Sequence, residues 1–148
     1  MSPRTERLAR LLLTILLLAG CAREQPADAP DPLAQTRGEW LLINYWAEWC
    51  KPCIEEIPEL NEFARLNAMR ARVLMVNYDG ARGDALREQA RRLGITTTLL
   101  ESDPAARFGY PRPQALPTTF VIDPDGKLRA TLLGPQTVAS LGAATQAP

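Results

Sequence analysis

The stretch WLLINYW (40–46) is an almost unbroken apolar run with β-branched and aromatic members. A run without polar alternation predicts a strand buried on both faces, as in a parallel sheet. The next stretch, CKPCIEEIPELNEFARLNAM, carries apolar residues at 54, 57, 60, 63, 64 and 66, with charges on the opposite side. That spacing predicts an amphipathic helix. RVLMVNY (72–78) predicts a second buried strand. GDALREQARRLG (83–94) predicts a helix with Asp84 near its start and Gly94 at its C-terminal end. ITTTLL (95–100) reads as a short strand, and PAARFGY (104–110) as one or two helical turns.

TTFVID (118–123) and KLRATLL (127–133) flank the turn PDG. Pro124 presets φ and Gly126 is free to take a positive φ, so the two runs are expected to close a hairpin. QTVASLGAAT reads as a weak last helix. The order is β-α-β-α, then a β-hairpin, then α. The first half implies a right-handed crossover and parallel strands; the hairpin adds antiparallel ones. The expected fold is therefore α/β with a mixed central sheet. A length of 148 residues suits one domain.

The N-terminus follows a different logic. Arg4, Arg7 and Arg10 precede an apolar run, LLLTILLLA, at 11–19. The run is too short for a membrane-spanning helix, which needs about 20 residues. It suits the hydrophobic region of a secretory signal. It ends in LAGC, which resembles the lipobox of bacterial lipoproteins. That resemblance implies a signal peptide at 1–20 and lipidation of Cys21. Residues 22–37 hold prolines and charges without an apolar period, and read as a flexible tether of roughly 50 Å if extended. The folded domain is expected at 38–148, in a compartment where disulfides persist.

Formal charge is zero, so nothing points to nucleic acid. The chain has three cysteines and no histidine. With Cys21 assigned to lipid, Cys50 and Cys53 remain, spaced C-x-x-C. Structural zinc needs four ligands, typically Cys or His, and the chain offers two thiols. A disulfide across so short a loop gains little chain entropy. The redox reading suits the pattern better. Cys50 lies where a strand gives way to a helix, and a helix N-terminus favours a thiolate. Cys53 follows on the same helical face, placed to resolve a mixed disulfide. Pro52 sits in the first turn, where its missing N–H costs nothing. Lys51 brings a cation near the thiolate. Cys50 is expected to be exposed and Cys53 shielded.

WAEWCKPC after a buried strand, Pro58 beyond it, and LPTTFVIDPDG before a hairpin resemble the thioredoxin superfamily over roughly 39–144. The lipobox, Asn44 in place of a buried aspartate, and CIEEIP point within it to the TlpA/ResA-like extracytoplasmic thiol-disulfide reductases. The resemblance implies a three-layer thioredoxin-like sandwich. It implies catalytic roles for Cys50 and Cys53, and a proton-transfer role for Glu56, one turn past Cys53. It implies a cis bond before Pro117, leaving the backbone of Leu116 free to meet substrate, and a helix kink at Pro58. Trp46 and Trp49 would wall the site, although Trp46 reads equally well as core. Glu48 and Glu55 read as surface charges. Proteins of this group usually carry an extra hairpin before the active-site strand; here the tether and GEW occupy that place.

The implied function is a monomeric, lipid-anchored periplasmic enzyme that needs no cofactor. It would reduce protein disulfides with electrons from a membrane thiol donor, as in cytochrome c maturation. Two rivals stay open: a disulfide oxidase or isomerase of folding proteins, and a thiolate metal chaperone, for example for copper(I).

Overall fold

The computed structural model describes residues 31–34 and 36–146; Cys21 and the signal-like run lie outside them. The elements in order are β1 (Trp40–Trp46), α1 (Lys51–Leu66), β2 (Ala71–Asn77), α2 (Gly83–Leu93), β3 (Thr98–Leu100), α3 (Ala105–Phe108), β4 (Thr118–Ile122), β5 (Leu128–Leu133) and α4 (Val138–Ala144). Among the described residues no strand precedes β1.

The strands form one sheet in the order β3-β2-β1-β4-β5. β1 and β2 run parallel, as do β2 and β3. β4 runs antiparallel to both β1 and β5. This is the expected mixed sheet, with β1 at its centre. Centrality explains why β1 lacks a polar face. Side chains alternate across a strand, and both sides of this one are covered.

On one side Leu42 and Trp46 join Cys53, Leu60 and Phe63 of α1, Leu86 of α2 and Leu141 of α4. On the other, Leu41, Ile43 and Tyr45 join Tyr110, Phe120 and Leu33, with Ala105 and Phe108 of α3 against them. Three layers result. Tyr110 stacks on Phe120 at 3.9 Å between ring centroids, and the Tyr45 hydroxyl is held by Asp103. The core reaches back to Leu33, inside the stretch read as tether, where the Leu33 carbonyl accepts from Thr36 and Arg107.

Asn44 is on the same face of β1 as Leu42 and Trp46, and is completely buried. It is a polar group inside the layer that α1 covers, so it needs partners there. β3 is shorter than its apolar run suggests, starting at Thr98. Thr96 N–H is taken instead by the Asn61 side chain of α1.

Candidate active site

β1 ends at Trp46, and α1 begins at Lys51. Cys50 is the N-cap of α1: its sulfur accepts the Cys53 N–H at 3.3 Å. Its own N–H is used by the Ala47 carbonyl at 3.1 Å. Pro52 lies in the first turn, so a helix donor that would otherwise lack a partner is simply missing. Cys50 and Cys53 are joined by a disulfide, with Cα atoms 5.3 Å apart. Pro58 lies inside α1, as expected.

The expectation that Cys50 is exposed is not met. In the oxidised form Cys50 is 4% exposed and Cys53 1%. The reason is local. The Cys50 sulfur accepts the Cys53 N–H, and both cysteines join the apolar cluster with Trp46 and Ala47. Trp49 carries the exposure instead, at 66%. Its indole N–H donates to Asp79 at 2.9 Å, which ties the ring to the loop after β2. Trp46 is core and its indole N–H has no partner. The Lys51 side chain is in solvent, paired with Glu55 at 3.5 Å. Glu48 pairs with Arg92 at the surface.

Glu56 is the group that departs most from a surface residue of its kind. It is 1% exposed. One carboxyl oxygen, Oε1, accepts from Asn44 Nδ2 at 2.7 Å. The other, Oε2, accepts from the backbone N–H of Gln136 at 2.8 Å. Burial pushes the carboxyl up to about 7, against the opposing pull of the Gln136 N–H and the Asn44 amide. A carboxyl that titrates near neutrality suits proton transfer. One turn further on, Glu59 takes the Val138 N–H at the start of α4.

The Leu116–Pro117 peptide bond is cis. The Pro117 carbonyl accepts the N–H of Gly134 at 3.0 Å, so the segment before β4 is tied to the end of β5. Leu116 packs partly buried against both core clusters. A cavity of about 280 Å³ opens at the carboxyl ends of β2 and β3, lined by Asn77, Asp79, Arg82, Glu101 and Arg112 among others. Asp79 therefore belongs both to this cavity and to the Trp49 clamp. Among the described residues no group of three or more His, Cys, Asp or Glu is placed to hold a metal ion.

Three participants escaped the sequence reading. Thr119 is the cross-strand partner of Asn44 and accepts from its Nδ2 at 3.0 Å. Its signal was a pair of hydroxyls, Thr118 and Thr119, in a strand buried along its whole length. Gln136 acts through its backbone, which no side-chain pattern reveals. Asp79 lies thirty residues from the indole it holds, with no local motif around it.

Residues 27–131 match the AhpC/TSA family. The thiol-disulfide oxidoreductase ResA of Geobacillus kaustophilus is 30% identical over 106 residues, which make up 71% of this chain and 60% of that protein. The thiol:disulfide interchange protein HelX of Rhodobacter capsulatus is 34% identical over 113 residues, 75% of this chain and 62% of that one. The chain thus spans about three fifths of the length of these curated relatives. Among solved structures, a DsbF homologue from Corynebacterium diphtheriae superposes with a TM-score of 0.64 at 24% identity, covering 76% of this chain and 73% of that one. A thiol:disulfide interchange protein of the thioredoxin family from Chlorobium tepidum does so with a TM-score of 0.60 at 25% identity, covering 76% and 81%. With its mixed five-stranded sheet and its buried Cys50–Cys53 pair, the chain belongs to the AhpC/TSA family and has a thioredoxin-like fold.

Proposed function

We propose that the protein is an extracytoplasmic thiol-disulfide oxidoreductase that reduces protein disulfides and is held at a membrane by lipid on Cys21. One observation carries the enzymatic part: the Cys50–Cys53 disulfide caps a helix whose next turn brings a buried, near-neutral carboxyl. The names of the ResA and HelX relatives support the same chemistry. The lipobox and apolar N-terminal run support the anchor and the compartment.

In the reduced protein, the Cys50 thiolate attacks one sulfur of a substrate disulfide. The substrate S–S bond breaks, and its second sulfur leaves as a thiolate that takes a proton from solvent. A mixed disulfide now joins Cys50 to the substrate. Glu56 accepts the Cys53 proton, and the Cys53 thiolate attacks the Cys50 sulfur. The remaining substrate sulfur leaves and is protonated. The substrate has gained two electrons and two protons, and Cys50–Cys53 is oxidised. A dithiol donor at the membrane must then reduce the pair.

The helix N-terminus supports Cys50 as the nucleophile. Cys53, at 1% exposure against 4% for Cys50, is the more shielded of the two, which supports it as the resolving thiol. Exposed Trp49, and the Leu116–Pro117 segment that packs against the cysteine cluster, are the surfaces this reading gives a substrate strand, with the Leu116 backbone as its pairing partner. The direction is tested by the reduction potential of the pair. A value near −270 mV or below fits a reductase, and one near −120 mV fits an oxidase of folding proteins.

A further inference from the structure

The Glu56 carboxyl is hydrogen-bonded as an anion should be, with a donor on each oxygen. Those donors differ in kind. The Gln136 N–H is backbone and can only donate, so a proton on Oε2 gains nothing along that contact. Oε1 faces Asn44 Nδ2 at 2.7 Å. A proton on Oε1 along that contact would set two donors against each other. A primary amide has a remedy, since turning it by half a rotation exchanges a donor for an acceptor.

The surroundings of Asn44 suit that rotation. Its Nδ2 serves two partners, Glu56 Oε1 and Thr119 Oγ1 at 3.0 Å. Both can change sign: a carboxylate accepts and a carboxylic acid donates, and a hydroxyl does either. Asn44 Oδ1 is buried and has no partner. No bond at that position is lost when the amide turns, although the two amide N–H groups then take that unpartnered place. An aspartate here would carry a second charge against Glu56, and a leucine would give neither state a partner.

We propose that Asn44 is a positioning residue whose amide reverses as Glu56 gains or loses its proton, with the Thr119 hydroxyl reversing alongside. When Glu56 is ionised, Asn44 Nδ2 donates to Oε1 and to Thr119. When Glu56 is protonated, Oε1–H and the Thr119 hydroxyl both donate to Asn44 Oδ1. The carboxyl is hydrogen-bonded in the core in both states, and neither is trapped. Around the carboxyl, β1 supplies Asn44, β4 supplies Thr119 through Asn44, and the segment before α4 supplies the Gln136 N–H. α1 itself supplies Glu59 one turn on and Cys53 one turn back, the latter held in the disulfide and so titratable only in the reduced protein.

The relay bears on catalysis through the proposed role of Glu56 as the acceptor of the Cys53 proton, but its test does not depend on that role. In the full oxidised chain, the Asn44 side-chain amide and the Glu56 carboxyl carbon are followed by NMR against pH. The Asn44 resonances should shift with the same midpoint as Glu56. Asn44→Leu removes a partner from both states, but the bond to the carboxylate is the stronger, so the Glu56 midpoint should rise by about one pH unit, the difference between a charged and a neutral hydrogen bond. Thr119→Val should raise it by less, and Thr119→Ser should restore it. If Asn44→Leu does not fold, the wild-type amide and the Thr119 pair still decide the matter. An Asn44 amide that is unchanged through the Glu56 titration, or a Glu56 midpoint indifferent to these variants, overturns the proposal. A Glu56 midpoint that moves while the pH–rate profile of disulfide exchange stays fixed supports the relay and removes Glu56 from the reaction.

Discussion

Asn44 on β1 and Glu56 on α1 meet at 2.7 Å inside the core, each at or below 1% exposure. The contact joins the central strand to the helix that carries both cysteines. A buried carboxyl on that helix changes how the whole protein responds to pH.

The first prediction concerns stability. The ordinary value of the Glu56 carboxyl is 4.5, and in the folded protein it is raised to about 7. The folded state therefore holds the proton more tightly than the unfolded state. The stabilisation is complete below about pH 4.5 and is lost as pH rises through about 7. Two and a half units correspond to an order of 3 kcal/mol. Glu56→Gln resembles the protonated acid: its oxygen can accept the Gln136 N–H and its amide can donate to Asn44. Denaturant unfolding of the oxidised protein at pH 5 and pH 8 should show a loss in wild type that is absent in Glu56→Gln. Equal pH dependence in both proteins contradicts the buried titration.

The second prediction is kinetic. Glutamine cannot accept the Cys53 proton, so Glu56→Gln should slow the step in which Cys53 resolves the mixed disulfide, by about a hundredfold near neutral pH. The limb of the pH–rate profile with a midpoint near 7 should vanish. Stopped-flow measurement of exchange with a model disulfide reads this directly. An unchanged limb would assign that midpoint to another group.

A third prediction follows from Trp49, which is exposed but tied to Asp79. Asp79→Ala should shift the Trp49 indole N–H resonance and increase acrylamide quenching of that tryptophan. Stability should change by less than about 1 kcal/mol, because the bond is solvent-exposed. A larger loss would mean that Asp79 supports the fold and not only the ring.

The sequence made most of this architecture legible. WLLINYW showed its central position by lacking a polar face, and the structure places it between two covered layers. PDG announced the β4–β5 hairpin, and Gly126 takes the positive φ that the turn needs. Cys50 read as standing at a helix N-terminus from the strand-to-helix switch, and the structure makes it the N-cap of α1. What stayed hidden was long-range. The polar network around Glu56 gathers β1, α1, β4 and the segment before α4, spanning as many as 80 positions. Helical spacing places Glu56 one turn past Cys53 but does not say that a strand asparagine and a distant backbone N–H cover it. The burial of Cys50 was missed for a similar reason, because strand and helix spacing do not show that it packs in the cluster of Trp46 and Ala47.

The anchor gives a fourth prediction. Cys21→Ser should abolish membrane partition and leave the thiol chemistry of the protein unaltered. Fractionation of cells that express each form tests this, and equal partition contradicts lipid attachment at Cys21.

The central claim is that Cys50 attacks and Cys53 resolves. It is tested most directly by trapping. In cells, Cys53→Ser should accumulate covalent complexes that dithiothreitol releases, because the reaction stops at the mixed disulfide. Cys50→Ser should accumulate far fewer, since the nucleophile is gone while the buried Cys53 remains. Comparable complexes from both variants, or none from Cys53→Ser, would contradict the account.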